Sequence, residues 1–188
     1  MKSSSTAAVP YILKALKDDS EEVRISALNA LVSLDMKSQL GAIGDVVQND
    51  KSVDVRKKAM DSAVSMAPES SETLGILKDA MNGQDLAISV AAATKIFDLG
   101  KGASHVNELV AVMKKELDEG DASSPPTMAM RLGGDLGPKA AAAAPVIQAH
   151  LNKPGLSQVN KMMLEAALRQ VKGEQIGELP GTQNTKPQ

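Results

Sequence analysis

One helical pattern returns along this chain at steps of 32, 33 and 37 residues, and that period restricts the fold more than any other feature. Its clearest copy is LKDDSEEVRISALNALVSL at residues 16–34. Val23 and Arg24 return 32 residues later as Val55 and Arg56, and the same shift carries Asp18 to Asp50, Ala27 to Ala59, Leu31 to Ala63 and Leu34 to Met66. A further 33 residues carry Val55 to Ile88, Ala59 to Ala92, Ala63 to Ile96 and Met66 to Leu99. A step of 37 takes Ala92 to Ala129, Leu99 to Leu136 and Gly100 to Gly137. The first half of the unit repeats as well. AAVPYI at 7–12 matches AAAPVI at 142–147, and Val9, Ile12 and Leu16 map onto Leu74, Leu77 and Met81. A period of this length with two helices per unit defines a solenoid, in which each pair hides its apolar side against the next.

The helix signals within one unit follow from side-chain chemistry. Pro10 is expected in the first turn of helix A, where a missing N–H costs nothing. Val9, Ile12, Leu13 and Leu16 form an apolar stripe on that helix. Asp18, Asp19 and Ser20 then break it and supply an N-cap oxygen for helix B, with Glu21 and Glu22 at the favourable end of the dipole. Helix B is expected to bury Val23, Ala27, Leu31 and Leu34. Five such pairs are read at 7–34, 38–66, 70–99, 103–136 and 140–172. The fourth is irregular, with a long turn DEGDASSPP and a second helix ending in LGGDLG. Residues 1–6 are an N-terminal extension, and 173–188, polar and aperiodic, are expected to be a disordered tail.

Composition agrees with an all-α class. Tyr11 and Phe97 are the only aromatic residues, and Trp and Cys are absent, so Ala, Leu, Val, Ile and Met fill the interior. Such side chains suit close helix–helix contacts. At 188 residues the chain is long enough for a real core. The net charge of −2 is spread evenly, with neither the basic block of a nucleic-acid footprint nor an acidic tail. Without cysteine there is no disulfide, thiolate metal site or thiol nucleophile. Lys14, Lys17 and the acids after them interrupt any signal-peptide core, and no apolar run approaches the roughly 20 residues of a membrane helix. The expectation is a soluble, cytoplasmic protein with no membrane partner, unless the chain is an excised part of an exported one.

AAVPYILKALKDDSEEVRISALNALVSL closely resembles a HEAT repeat, with a Pro early in helix A and an Asp and an Arg flanking the turn. LGPKAAAAAPVI at 136–147 is similar to the join between two bacterial HEAT repeats. The resemblance covers about residues 7–172 and implies a right-handed α-α superhelix of about five helix pairs, armadillo-like in its general form. It also implies a ladder in which turn aspartates and helix-B arginines hydrogen-bond between repeats, here Asp18, Arg24, Asp50 and Arg56. Ser89 takes the Arg position in the third repeat and the last two have no Arg there, so the ladder should hold the N-terminal half more firmly.

The residues that could carry chemistry form no recognisable site. His105 and His150 belong to no metal-ligand spacing and are expected to be solvent-facing near helix ends. HEAT-like hydroxylases hold iron with His-Glu pairs, whereas here Val106 and Leu151 follow the histidines. Ser104 beside His105 is the right pair of types for a nucleophile and base, but neighbours on a helix diverge. GGDLG at 133–137 lacks phosphate-loop spacing and follows a helix, so it is read as a helix terminus or a weak point in the stack. Met128, Met130, Met162 and Met163 are read as core filling. LDEGDA at 117–122 is read as a solvated loop without the spacing of a calcium site. HEAT-like DNA glycosylases need aromatics and a basic groove, which this chain lacks.

The outer side of helix B remains. Ser26, Asn29 and Ser33 lie within about 60° of one another, opposite the buried stripe. Their counterparts are Lys58, Asp61 and Ser65, then Ala91, Thr94 and Asp98, with Arg131 and Asp135 in the fourth pair. In HEAT solenoids the B helices line the concave side. The expected function is a non-catalytic scaffold or docking module that binds a protein or peptide through Ser26, Asn29, Lys58, Asp61, Thr94, Asp98 and Arg131. It would work alone or as one region of a larger polypeptide, with no cofactor, metal or nucleic acid. The alternative is an accessory enzyme of the lyase type, known on HEAT-like folds, with a small molecule in the groove. A buried cluster of convergent polar groups would favour the enzyme, and a continuous shallow ridge the scaffold.

Overall fold

The computed structural model describes residues 3–174 apart from residue 122. Residues 1–2 of the expected extension and 175–188 of the expected tail lie outside the described residues. The described residues are helices and turns with no strand. They form two compact units, Met1–Lys101 and Gly102–Gln188.

The first unit holds three helix pairs: α1 (Ser3–Ala15) with α2 (Glu21–Ser33), α3 (Leu40–Asn49) with α4 (Val53–Met66), and α5 (Ser71–Met81) with α6 (Leu86–Asp98). Each second helix starts at a capping side chain. Ser20, Ser52 and Asp85 accept the backbone N–H three residues on, from Val23, Val55 and Ile88. Two layers result, with α2, α4 and α6 packed in succession and α3 packed on α5. This is the stacked-pair arrangement of a HEAT-like solenoid. Between the layers Leu28, Leu31, Ile43, Met60, Leu77 and Ile96 are fully buried, each such side chain contributing about 1.5–3 kcal/mol. Gly44 lets α3 and α5 approach, since a Cβ there would stand 3.1 Å from Ile76 Cγ1.

The first pair departs from its sequence reading in two ways. Helix α1 begins at Ser3, inside the stretch read as an extension, so Pro10 lies in the helix interior and not in its first turn. One hydrogen bond of the ladder is lost there. On α2, Ala27 and Leu31 are buried as expected, but Val23 and Leu34 are exposed while Arg24 and Leu28 are buried. The repeat positions are the same as those of Val55 and Met66, which are buried. What differs is that α2 packs on α4 with one side only, whereas α4 lies between α2 and α6.

The second unit holds α7 (Val106–Glu119), α8 (Thr127–Arg131), α9 (Ala144–Leu151) and α10 (Gln158–Lys172). GGDLG holds the end of this helix, as expected, but the end comes after a π turn. Residues 132–136 continue α8 as a π turn, and Gly137, at φ +51°, redirects the chain into a 3-10 stretch over Gly137–Ala143. The reason is packing: Gly133 is buried against α10, where a Cβ would fall 3.0 Å from Ala167 Cα and 2.6 Å from Gln170 Oε1. Helix α10 packs on α8, the π turn, the 3-10 stretch and α9, and α7 packs on α8 and the 3-10 stretch.

Candidate interaction surface

The ridge begins with the inner tie that fixes its helices. Arg24 extends from α2 to the turn after α3, where Nε and Nη2 donate to Asp50 Oδ2 at 2.7 Å and Oδ1 at 2.9 Å. Its Nη1 donates back to the carbonyls of Asp18 and Asp19, at 3.0 and 3.1 Å. The side chains of the pair are only 4% and 6% exposed. Burial alone would push the Asp50 carboxyl up, but the Arg24 hydrogen bonds, the Ser52 N–H and the Arg24 charge outweigh it and hold it below the usual carboxylate range. Arg56 repeats the contact one pair later, with Nη2 donating to Asp85 Oδ2 at 2.6 Å, but this pair is more exposed and Arg56 Nε is buried without a hydrogen-bond partner.

Asp85 was hidden from the sequence reading. The period carries Asp50 to Gly83, and the carboxylate that serves Arg56 comes from the N-cap position two residues on, carrying both jobs at once. Asp18 meets Arg24 through its backbone carbonyl and not its carboxylate, whose Oδ1 accepts from the Ser20 N–H. Ser89, at the third Arg position, is buried and donates to the carbonyls of Gly83 and Asp85. In the second unit Asn160 of α10 makes a different tie, donating to the carbonyl of Ser124 at 2.9 Å.

The outward positions of the B helices divide by exposure. Ser26, Asn29 and Ser33 are exposed on α2, and Asp61 and Ser65 on α4, where Lys58 is half-buried. On α6 Asp98 is exposed, while Ala91 and Thr94 are half-buried and Thr94 Oγ1 donates to the Val90 carbonyl. Lys95 of α6 forms an ion pair with Asp61 of α4, a cross-helix link that the sequence reading missed. The 34-residue offset, close to the repeat length, was the available signal. The first unit therefore brings six of the seven proposed contact residues onto three successive helices. Arg131 belongs to the second unit, on α8, half-buried and paired with Asp135 at 2.5 Å.

A groove lies elsewhere in the first unit. About 870 Å³ in volume, it is lined by the end of α1, the Asp18–Asp19 turn and α3, with Lys14, Lys17, Asp45 and Lys51 around its mouth. The one buried cation in it, Arg24, is already committed to Asp50 and two carbonyls.

Three minor readings change. His105 and His150 lie near helix ends, as expected, but are half-buried. Ser104 Oγ and His105 Nδ1 lie 3.0 Å apart, because the two residues sit at the entry to α7, where helical divergence does not apply. His150 lines a hollow of about 260 Å³ with Leu117, Pro145 and Val146, and its Nδ1 is buried without a hydrogen-bond partner. Burial and the nearby Lys153 charge push its pKa down, against the pull of Asp118. Asp118 is held at about 2 by hydrogen bonds from Lys114 and Lys153, at 2.5 and 2.7 Å; it is exposed as expected, but it lies in α7 and links that helix to the turn after α9. Of the methionines, Met128 is core, Met130 and Met163 are half-buried, and Met162 is exposed. Among the described residues no cluster of three or more His, Asp or Glu could hold a metal, and no helix is long and apolar enough to cross a membrane.

Residues 8–35 match the family model of the HEAT repeat, which identifies α1 and α2 as such a repeat and supports a HEAT-repeat family for the chain. No curated protein and no solved structure matches. HEAT repeats generally mediate protein–protein interactions, and the family is typically a non-catalytic scaffold.

Proposed function

We propose that this chain is a non-catalytic docking module that holds a protein or peptide partner along the outward side of its B helices. One observation carries the reading. Consecutive helices α2, α4 and α6 offer exposed small or charged groups on one side, with Ser33, Ser65 and Asp98 at one repeated position and Asn29 and Asp61 at another. Such a surface suits an extended, mixed-charge partner whose contacts are spread over several repeats. Binding energy concentrates in a few anchors in which Arg is enriched, and Arg131 of α8 is the best candidate. The rival reading, an accessory enzyme holding a small molecule, would use the groove between α1 and α3, where the only buried guanidinium is already engaged.

The test uses the chain as bait, with the reversals Lys58→Glu, Asp61→Lys and Arg131→Glu. Each should weaken capture of the partner; the melting temperature should stay within about 2 °C for exposed Asp61→Lys, because exposed charges contribute little to folding, and should fall only modestly for the half-buried Lys58 and Arg131. Normal capture by all three variants, together with loss on substitution along α1, α3 and α5, would reject the ridge.

A further inference from the structure

The exposed apolar residues of the first pair are not scattered. Tyr11 is 78% exposed, Val23 38% and Leu34 43%. The repeat shift places Tyr11 where Ile43 and Ile76 stand in the next two pairs, at 0% and 9%. It places Val23 where Val55 and Ile88 stand, at 0% and 4%, and Leu34 where Met66 stands, at 5%. In the third pair Ile76 of α5 faces the pair before, resting on Gly44 of α3, and at the level of whole helices α4 packs on α2 and α6 on α4. Tyr11, Val23 and Leu34 are thus the stacking residues of the repeat with no described residue stacked on them. Ala7 and Ala15 beside Tyr11, and Ala30 between Val23 and Leu34, complete a flat face of two helices that a second helical surface can approach closely.

The corresponding side of α10, in the second unit, is built differently. Arg24 reaches forward to Asp50, so the side of α2 that bears Arg24 and buried Leu28 faces the following pair. With Ser157 capping α10 as Ser20 caps α2, the same side of α10 carries Lys161, Glu165 and Arg169. This face is charged, and Val159 and Met162 are the large apolar groups that α10 leaves exposed. An apolar face stacked on this charged one would have to desolvate Lys161, Glu165 and Arg169, a cost that head-to-tail growth carries at every step. An apolar face that meets its own copy across a two-fold axis buries none.

We propose that the α1–α2 face is the interface of a homodimer, closed by a second copy of this chain through the same face. Two helices of 13 residues, each about 20 Å long and about 10 Å apart, present on the order of 500 Å² per copy. About 1,000 Å² for the pair lies at the low end of specific interfaces, the class of weak and reversible association. This interface is independent of the B-helix ridge.

Sedimentation velocity of the full chain from about 1 to 200 µM reads it directly, over a range in which weak and reversible association registers. The expected result is a shift from 19.6 kDa toward twice that mass and no further. Val23→Glu should hold the chain monomeric throughout. It should also fold normally, because Val23 lies three residues after the Ser20 cap, where Glu completes a capping box. Tyr11→Ser should weaken the dimer at least tenfold as a second, independent probe, whereas Met162→Glu and the ridge reversal Asp61→Lys should dimerise as the parent does. A chain that stays monomeric at every concentration overturns the proposal. So does a ladder of larger species, or dimers that survive in both Val23→Glu and Tyr11→Ser. A monomer that instead binds a different protein through Tyr11 and Val23 overturns it equally.

Discussion

Asp50→Ala should be among the most damaging single substitutions in the first unit, although it removes only a polar side chain. Asp50 receives both ends of the Arg24 guanidinium fork and also accepts the Ser52 N–H at 2.8 Å. Removal strands a guanidinium that is nearly inaccessible to water. Breaking a buried pair from one side costs about 3–5 kcal/mol, and the two carbonyls that Arg24 keeps place this case near the lower end. For a cooperative unit of this size, a loss of about 3 kcal/mol corresponds to a fall in melting temperature of roughly 10 °C or more. Circular dichroism melts of the parent, Asp50→Ala and the double variant Arg24→Met with Asp50→Leu provide the assay. The double variant should recover most of the loss, because replacing both charges by apolar groups removes the stranded ion. A shift below about 2 °C for Asp50→Ala would refute the reasoning, since only a solvated, weakly coupled pair behaves so.

Other outcomes follow from the same geometry. Leu31→Ala, at a site with no exposure, should cost about 2–5 kcal/mol in urea unfolding, against about 0.5 kcal/mol or less for exposed Ser33→Ala. Comparable shifts would mean that the face of α2 is misassigned. Burial raises the Glu116 carboxyl above its usual range, although the N–H groups of Met128 and Thr127 at the start of α8 pull it down. Its folded state therefore binds a proton more tightly than its unfolded state, so its contribution to stability is full below pH 4.5 and is lost as pH rises through the raised value. Melts of Glu116→Gln from pH 4 upward, a range set by the usual carboxylate value of about 4.3, should lack that decline. A decline identical to the parent's would remove Glu116 as its source.

The sequence made the pairing legible because local chemistry and packing agree there. Ser20 and Ser52 cap the helices that their neighbours predicted, and Ala27, Ala59 and Ala92 are buried at one repeated position. It failed where a residue's role depends on what lies beside its pair. Val23 reads the same as Val55, yet only one of them has a helix in front of it. Asp85 was missed because the carboxylate moved two residues off the period while its contact with Arg56 was kept. The π turn at 132–136 follows from the approach of Gly133 to α10, a contact over more than thirty residues that no local pattern announces. Of the ridge, exposure at Ser26 and Asn29 was readable from helical spacing, whereas the Lys95–Asp61 link and the part-burial of Lys58 and Thr94 depend on the spacing between stacked helices.

Hydrogen–deuterium exchange on the chain alone and with a captured partner bears most directly on the docking ridge. If the outward side of the B helices holds the partner, amides of α2, α4 and α6 should slow on binding while those of α1, α3 and α5 exchange as before. Protection confined to α1, α3 and α5, with the B helices unchanged, would contradict it.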